Sequence, residues 1–177
     1  FYGCAGLDRL VCCDDEAVLS AVSDAVPAAD GIMVLVNDPQ YGGSGGYQYA
    51  TSYVGSSGDR VVAHELGHSL VGLGDEYNYG VGTGSPARPN CAADPEEPPW
   101  TAWLDEPGVG AFSVCGYTNH HRPTADGCMM RTLTDDYCVV CRELATRAIY
   151  AALPRILVSV LPEEDTMVAE TAVSATM

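Results

Sequence analysis

The stretch HELGHSLVGLGDEY (64–77) sets two histidines and a glutamate at a spacing that gains its meaning on a helix. Residues four apart share one helical face, so His64 and His68 can reach a single metal ion. Glu65 lies beside them, placed to touch a water rather than the metal. A surface helix with incidental histidines is the plain alternative, but the chain has four histidines and two of them fall in this motif. A catalytic zinc site has three protein ligands and one open position. Gly72 and Gly74 let the backbone turn sharply after the helix and return under the metal, and Asp75 and Glu76 follow at once. Asp75, eleven residues after His64, is the expected third ligand, with Glu76 as the alternative. In the plain reading each acid is a solvated turn residue.

Working outward, the helix holding the motif is read as RVVAHELGHSLVGL, with Asp59 placed to cap it. DDEAVLSAVSDA (14–25) has acids in front of apolar positions at helical spacing and reads as an earlier helix. GIMVLVN (31–37) is a short unbroken apolar run, the pattern of a buried central strand. The glycine-rich YGGSGGYQY (41–49) leads into the alternating YQYATSYV (47–54), which suggests an exposed strand at a sheet edge. Residues 80–127 are rich in glycine, proline and short polar residues and read as a long irregular loop region, whose cysteines argue for order. DDYCVVCRELATRAIYAAL (135–153) reads as a late helix ended by Pro154. These elements describe an α+β chain: a mixed sheet with an exposed edge strand, a metal-binding helix and a late helix. One domain over 1–155 is expected, with 156–177 a tail or the start of a following domain.

The net charge is −16, and all eight basic residues are arginine. Such a surface repels the phosphates of nucleic acid and disfavours anionic membranes. No apolar run is long enough to span a bilayer, so no membrane insertion is expected. Eight cysteines, at 4, 12, 13, 91, 115, 128, 138 and 141, favour disulfides and an oxidising compartment. A structural zinc site is the rival reading: Cys138 and Cys141 have the Cys-x-x-Cys spacing, but a four-thiolate site needs a second pair, and Cys12-Cys13 is a poor one. With Phe1 in place of an initiator methionine, a secreted chain whose export signal has been removed is expected. The glycines at 42–46 lack the lysine of a phosphate-binding loop.

HELGHSLVGLGDEY resembles the zinc-binding segment of the IgA-peptidase family of bacterial metallopeptidases, within the wider metzincin group. The LVN and YGG of IMVLVNDPQYGGSGG, then HRPTADGCMMRT and CVVCRE, extend the resemblance over most of residues 31–145. It implies a metzincin-like twisted sheet and the pattern His-Glu-x-x-His-x-x-Gly-x-x-His/Asp. This chain departs in having Val71 where that glycine belongs and an acid one step late. In the Cys128-Met129-Met130 run, the resemblance makes Met130 the methionine of a turn beneath the zinc; otherwise both methionines are core filling. His120 and His121 are alternative ligands, oxyanion contacts or plain loop residues, and Tyr77 is a further hydroxyl donor near the reaction centre.

The function expected is a secreted zinc endopeptidase with one catalytic ion. A zinc-activated water attacks the peptide bond, Glu65 serves as general base, and the protein substrate binds along the edge strand near 47–54. IgA as a substrate is what the family name implies. Two other classes compete. A non-catalytic zinc-containing binding module would have no need of Glu65, and a zinc amidase acting on a non-protein amide would need no extended substrate strand.

Overall fold

The computed structural model describes residues 1–46, 48–80, 82–84 and 87–152. Pro154 and the segment 156–177, set apart above as a tail, lie outside them. The first helix, α1 (Asp15–Ala25), starts where its acids stand: Asp14 caps it by accepting from the Ala17 N–H at 2.9 Å. Asp15 and Glu16 occupy the first turn, where they suit the positive end of the helix dipole.

Three short strands follow: β1 (Met33–Val36), β2 (Gly43–Gly45) and β3 (Ala50–Tyr53). They form one sheet in the order β1-β3-β2, with β1 parallel and β2 antiparallel to β3. This exchanges the two strand roles expected from the sequence. The apolar run forms an edge strand, and its Leu35 is 59% exposed. The alternating stretch forms the centre, with all four residues buried. The alternation misleads because Thr51 and Ser52 point no hydroxyl to solvent: Thr51 donates to the Val11 carbonyl at 2.8 Å and Ser52 to the Gly58 carbonyl at 3.1 Å. A buried hydroxyl with a backbone acceptor has the sequence signature of an exposed one.

The opposite edge of the sheet is partly covered by the chain itself. Gly43 donates to the Arg9 carbonyl at 3.1 Å and accepts from Val11 at 3.4 Å. The loop carrying Arg9 is closed by a disulfide between Cys4 and Cys12.

The motif helix, α2 (Gly58–Leu66), lies across β2 and β3 and continues as a wider π turn, Gly67–Val71. Ser57, not Asp59, precedes its first turn, and Asp59 sits inside that turn without capping it. The glycine run in β2 has a steric cause. A Cβ on Gly45 would lie 2.6 Å from both the Glu65 carbonyl oxygen and the His68 Cβ, and one on Gly43 would lie 2.5 Å from Val61. Only bare backbone lets the helix come this close to the strand.

The expected loop region contains more structure than its composition suggests. A 3₁₀ turn spans Thr101–Trp103, and β4 (Val109–Cys115) pairs antiparallel with β5 (Tyr117–Thr124). The glycines and proline that read as loop sit at irregularities of this hairpin: its register shifts twice, and Gly116 takes a left-handed conformation at φ 69°. A disulfide joins Cys91 to Cys115. The last helix, α3 (Val139–Ala152), starts four residues after the expected point; before it, the Asp136 carbonyl accepts from the Met129 N–H at 2.9 Å, and its side chain pairs with Arg60 at 3.0 Å. The core gathers Leu73, Ala92, Trp100, Cys128, Met130, Val140 and Cys141 between the π turn, the hairpin and α3.

Gly45→Ala tests the close approach of β2 to α2. Neither the Glu65 carbonyl nor the His68 Cβ can swing away as a flexible side chain would. Urea denaturation is expected to show a loss of about 1–3 kcal/mol, the usual cost of overpacking. An unchanged midpoint would mean that the strand and helix have slack between them.

Candidate metal centre

His64 and His68 project from the last turn of α2 and from the π turn, and their Nε2 atoms stand 3.2 Å apart. The chain then reverses at Gly72, which is left-handed at φ 79° and donates to the His68 carbonyl at 3.1 Å. Beyond it, Asn90 clasps the returning backbone: Gly74 N–H donates to Asn90 Oδ1 at 2.7 Å, and Asn90 Nδ2 donates to the Gly74 carbonyl at 2.9 Å. This delivers Asp75, whose Oδ1 lies 3.1 Å from His64 Nε2 and 3.3 Å from His68 Nε2. The three atoms form a nearly equilateral triangle.

The outer nitrogens are tied down. His64 Nδ1 lies 3.0 Å from the Met129 carbonyl and His68 Nδ1 lies 2.7 Å from the Leu73 carbonyl. A carbonyl only accepts, so each Nδ1 carries the proton and each Nε2 turns its lone pair inward. Asp75 Oδ1 is buried and no other donor reaches it. Whatever sits between these atoms must be positive: a proton on one imidazole, or a metal ion. In the protonated form, burial works against a charge on His68, but its hydrogen bond to Asp75 and the carboxylate's charge outweigh that and raise its pKa. Ligand distances of about 2.0–2.2 Å in a tetrahedral zinc site put neighbouring N and O ligands about 3.3–3.5 Å apart. The triangle fits that size. The second oxygen of Asp75 accepts from the Tyr79 hydroxyl at 3.1 Å, which fixes the carboxylate's direction.

Glu65 is buried beside the histidines, with a carboxylate oxygen within 4.8 Å of their ligating atoms. Burial raises its pKa, and the neighbouring His64 and His68 pull it back down. Glu65 lines two cavities of about 210 and 260 Å³. Both are lined by Arg9, His64, Glu65 and Tyr77. The Tyr77 hydroxyl, which lines both, accepts from Arg9 at 3.1 Å.

The other expected residues lie elsewhere. Glu76 turns away from Asp75, as successive residues of an extended chain do. Its N–H donates to the Met130 carbonyl at 2.8 Å, and its carboxylate enters the core. His120 and His121 sit on β5 and line neither cavity. Met130 is fully buried, and a Cβ on Gly67 would come 2.9 Å from its sulfur, so it packs beneath the π turn. Its neighbour Met129 lines the smaller cavity.

Sequence reasoning missed Arg9, Tyr79 and Asn90. Tyr79 could have been found, being four residues after Asp75 with a hydroxyl able to reach back. Arg9 and Asn90 carry no signal of their own, since only the folded chain brings them to the motif.

A helix-borne pair of histidines closed by a carboxylate, with a second carboxylate at the cleft, is the arrangement of a metal-dependent hydrolase site. Residues 1–108 match the model of the family described as IgA Peptidase M64, and the chain belongs to this peptidase family. The match contains His64, Glu65, His68, Asp75, Glu76 and Tyr77; Met130, His120 and His121 lie beyond it. No curated protein matches the chain.

Asp75→Ala should weaken divalent-cation binding at the histidine pair by more than about a hundredfold, beyond the 10–100-fold typical of losing a supporting contact. Tyr79→Phe, which removes only the support, should fall inside that range. Competition with a chromogenic chelator measures both. Wild-type affinity in Asp75→Ala would remove Asp75 from the ligand set.

Proposed function

We propose that the protein is a secreted zinc endopeptidase whose metal ion is held by His64, His68 and Asp75. The observation that carries this reading is the triangle of inward-facing donor atoms 3.1, 3.2 and 3.3 Å apart, with Glu65 buried beside it. Two imidazoles and one carboxylate form a donor set suited to zinc and leave a fourth position open. The two disulfides favour an oxidising compartment, which supports secretion. Residues 1–155 form the proposed catalytic domain.

When bound, zinc lowers the pKa of a water towards neutrality and polarises the scissile carbonyl. Glu65 takes the proton from the attacking water and hands it to the departing amine, acting as base and then as acid. Burial suits it to both steps, because a carboxylate with a raised pKa holds a proton more readily near neutral pH. Tyr77, fixed by Arg9, presents its hydroxyl to the same cleft, where it can donate to the developing oxyanion. Met130 supplies an apolar floor under the π turn.

The substrate is a peptide chain, but it cannot add to residues 50–53, which already have a neighbour on each side. Of the two edge strands, β2 is the one beside the histidines. Gly43 is taken by Arg9 and Val11, and the alternation of the antiparallel ladder turns the N–H and C=O of Gly45 to the same outer side. Gly45 lines the larger cavity together with His64, Glu65, His68 and Asp75. Backbone pairing at Gly45 would place a scissile bond beside Glu65.

Glu65→Gln separates base from ligand. Turnover of a mixed peptide library should fall by at least about a hundredfold, the lower end of what general-base catalysis contributes. The zinc content of the variant should stay at the wild-type level. Near wild-type turnover would contradict the mechanism, and loss of zinc would make Glu65 a ligand.

A further inference from the structure

Outside the histidine site, the core holds a second convergence of metal-ligating groups. Glu76, Cys128, Cys138 and Cys141 are all buried, and their ligating atoms lie within 4.8 Å of one another. Cys128 Sγ is 3.4 Å and Cys141 Sγ 3.3 Å from Glu76 Oε1. In a tetrahedral zinc site with Zn–S near 2.3 Å and Zn–O near 2.0–2.2 Å, a sulfur and an oxygen ligand stand about 3.5 Å apart. The spacing is that of ligands around an ion, not of bonded sulfurs.

We propose that Glu76, Cys128, Cys138 and Cys141 hold a second, structural zinc ion in the core directly behind the histidine site. The Cys-x-x-Cys pair at the start of α3 supplies two thiolates, Cys128 the third and Glu76 the oxygen, so no second Cys-x-x-Cys pair is needed.

Three independent features point the same way. Glu76 is 1% exposed, and its Oε2 is buried without a hydrogen-bond partner. A carboxyl group left so is costly unless a cation compensates it. Asn90 Nδ2 donates to Glu76 Oε1 at 3.1 Å, the kind of outer contact that orients a ligating carboxylate. Finally, the buried cluster holds three thiols, which cannot all pair with one another. The structure pairs Cys4 with Cys12 and Cys91 with Cys115 and leaves four cysteines free: Cys13, which is half-buried and apart from the cluster, and the clustered Cys128, Cys138 and Cys141. Under conditions that form the two disulfides, thiols this close would oxidise unless a metal held them as thiolates.

The placement gives the ion a task. Cys128 directly precedes Met129, whose carbonyl accepts from His64 Nδ1, and Glu76 directly follows Asp75. One ion would therefore tie together the backbone of a ligand and the backbone that orients another. The four residues are distinct from the zinc ligands of the peptidase reading, so the two can fail separately.

The test is metal content of the full chain, with cobalt as a spectroscopic probe. Wild type should contain two zinc ions per chain, and His64→Ala/His68→Ala should keep one. Cobalt substituted into that double variant should show an intense thiolate-to-cobalt charge-transfer band in the near ultraviolet. Adding Cys141→Ser should abolish the band or prevent folding. Denatured wild type, alkylated without reductant, should show Cys128, Cys138 and Cys141 as free thiols. A double-histidine variant without metal or thiolate band, or a disulfide between any two of the three cysteines, would overturn the proposal. Loss of the histidine site alone would appear instead as one ion in wild type, with its thiolate band intact.

Discussion

Three electron-pair donors facing one point repel one another unless a positive charge lies between them. His64 Nε2, His68 Nε2 and Asp75 Oδ1 are held 3.1–3.3 Å apart in a nearly buried space, with both Nδ1 atoms committed to backbone carbonyls. Much of the surrounding structure meets this constraint. The bare backbone of β2 lets α2 settle low enough for its histidines to lie over the sheet. The left-handed turn at Gly72 reverses the chain, and Asn90 grips the reversed strand so that Asp75 arrives from the opposite side. A proton can occupy the point, but a divalent ion neutralises it more fully and leaves room for a reactant.

The dipeptide Asp75-Glu76 organises the interior because its two carboxylates face opposite ways, one to the histidines and one to the thiols of the core. The two disulfides secure segments that approach this dipeptide from elsewhere. Cys91–Cys115 fixes the stretch next to Asn90 against β4, and Cys4–Cys12 closes the loop that brings Arg9 over Tyr77. The cleft is thus framed by parts of the chain distant in sequence, while its chemistry comes from a run of a dozen residues.

That division explains what the sequence made legible. The histidine pair was readable because helical periodicity puts residues four apart on one face, Glu65 because it stands next to the first of them, and Asp75 because the glycines before it specify a reversal. The α+β character and the helices α1 and α3 followed from capping acids and apolar spacing. The order of the strands did not, because a buried Thr51 bonded to a carbonyl looks in sequence like an exposed one. The β4–β5 hairpin was hidden by the residues that accommodate its irregular register. Glu76 was read as a spare ligand for the histidines because its true neighbour, Cys128, lies 52 residues away, and no local pattern announces such a meeting.

The most direct test of the account is a crystal of the protein grown with zinc and measured on both sides of the zinc absorption edge. The anomalous difference map should place a peak about 2.0–2.2 Å from His64 Nε2, His68 Nε2 and Asp75 Oδ1, the normal zinc distances for these atoms. Glu65 should lie beyond bonding range of that peak. A map with no peak there, or with Glu65, His120 or His121 in place of Asp75, would contradict it.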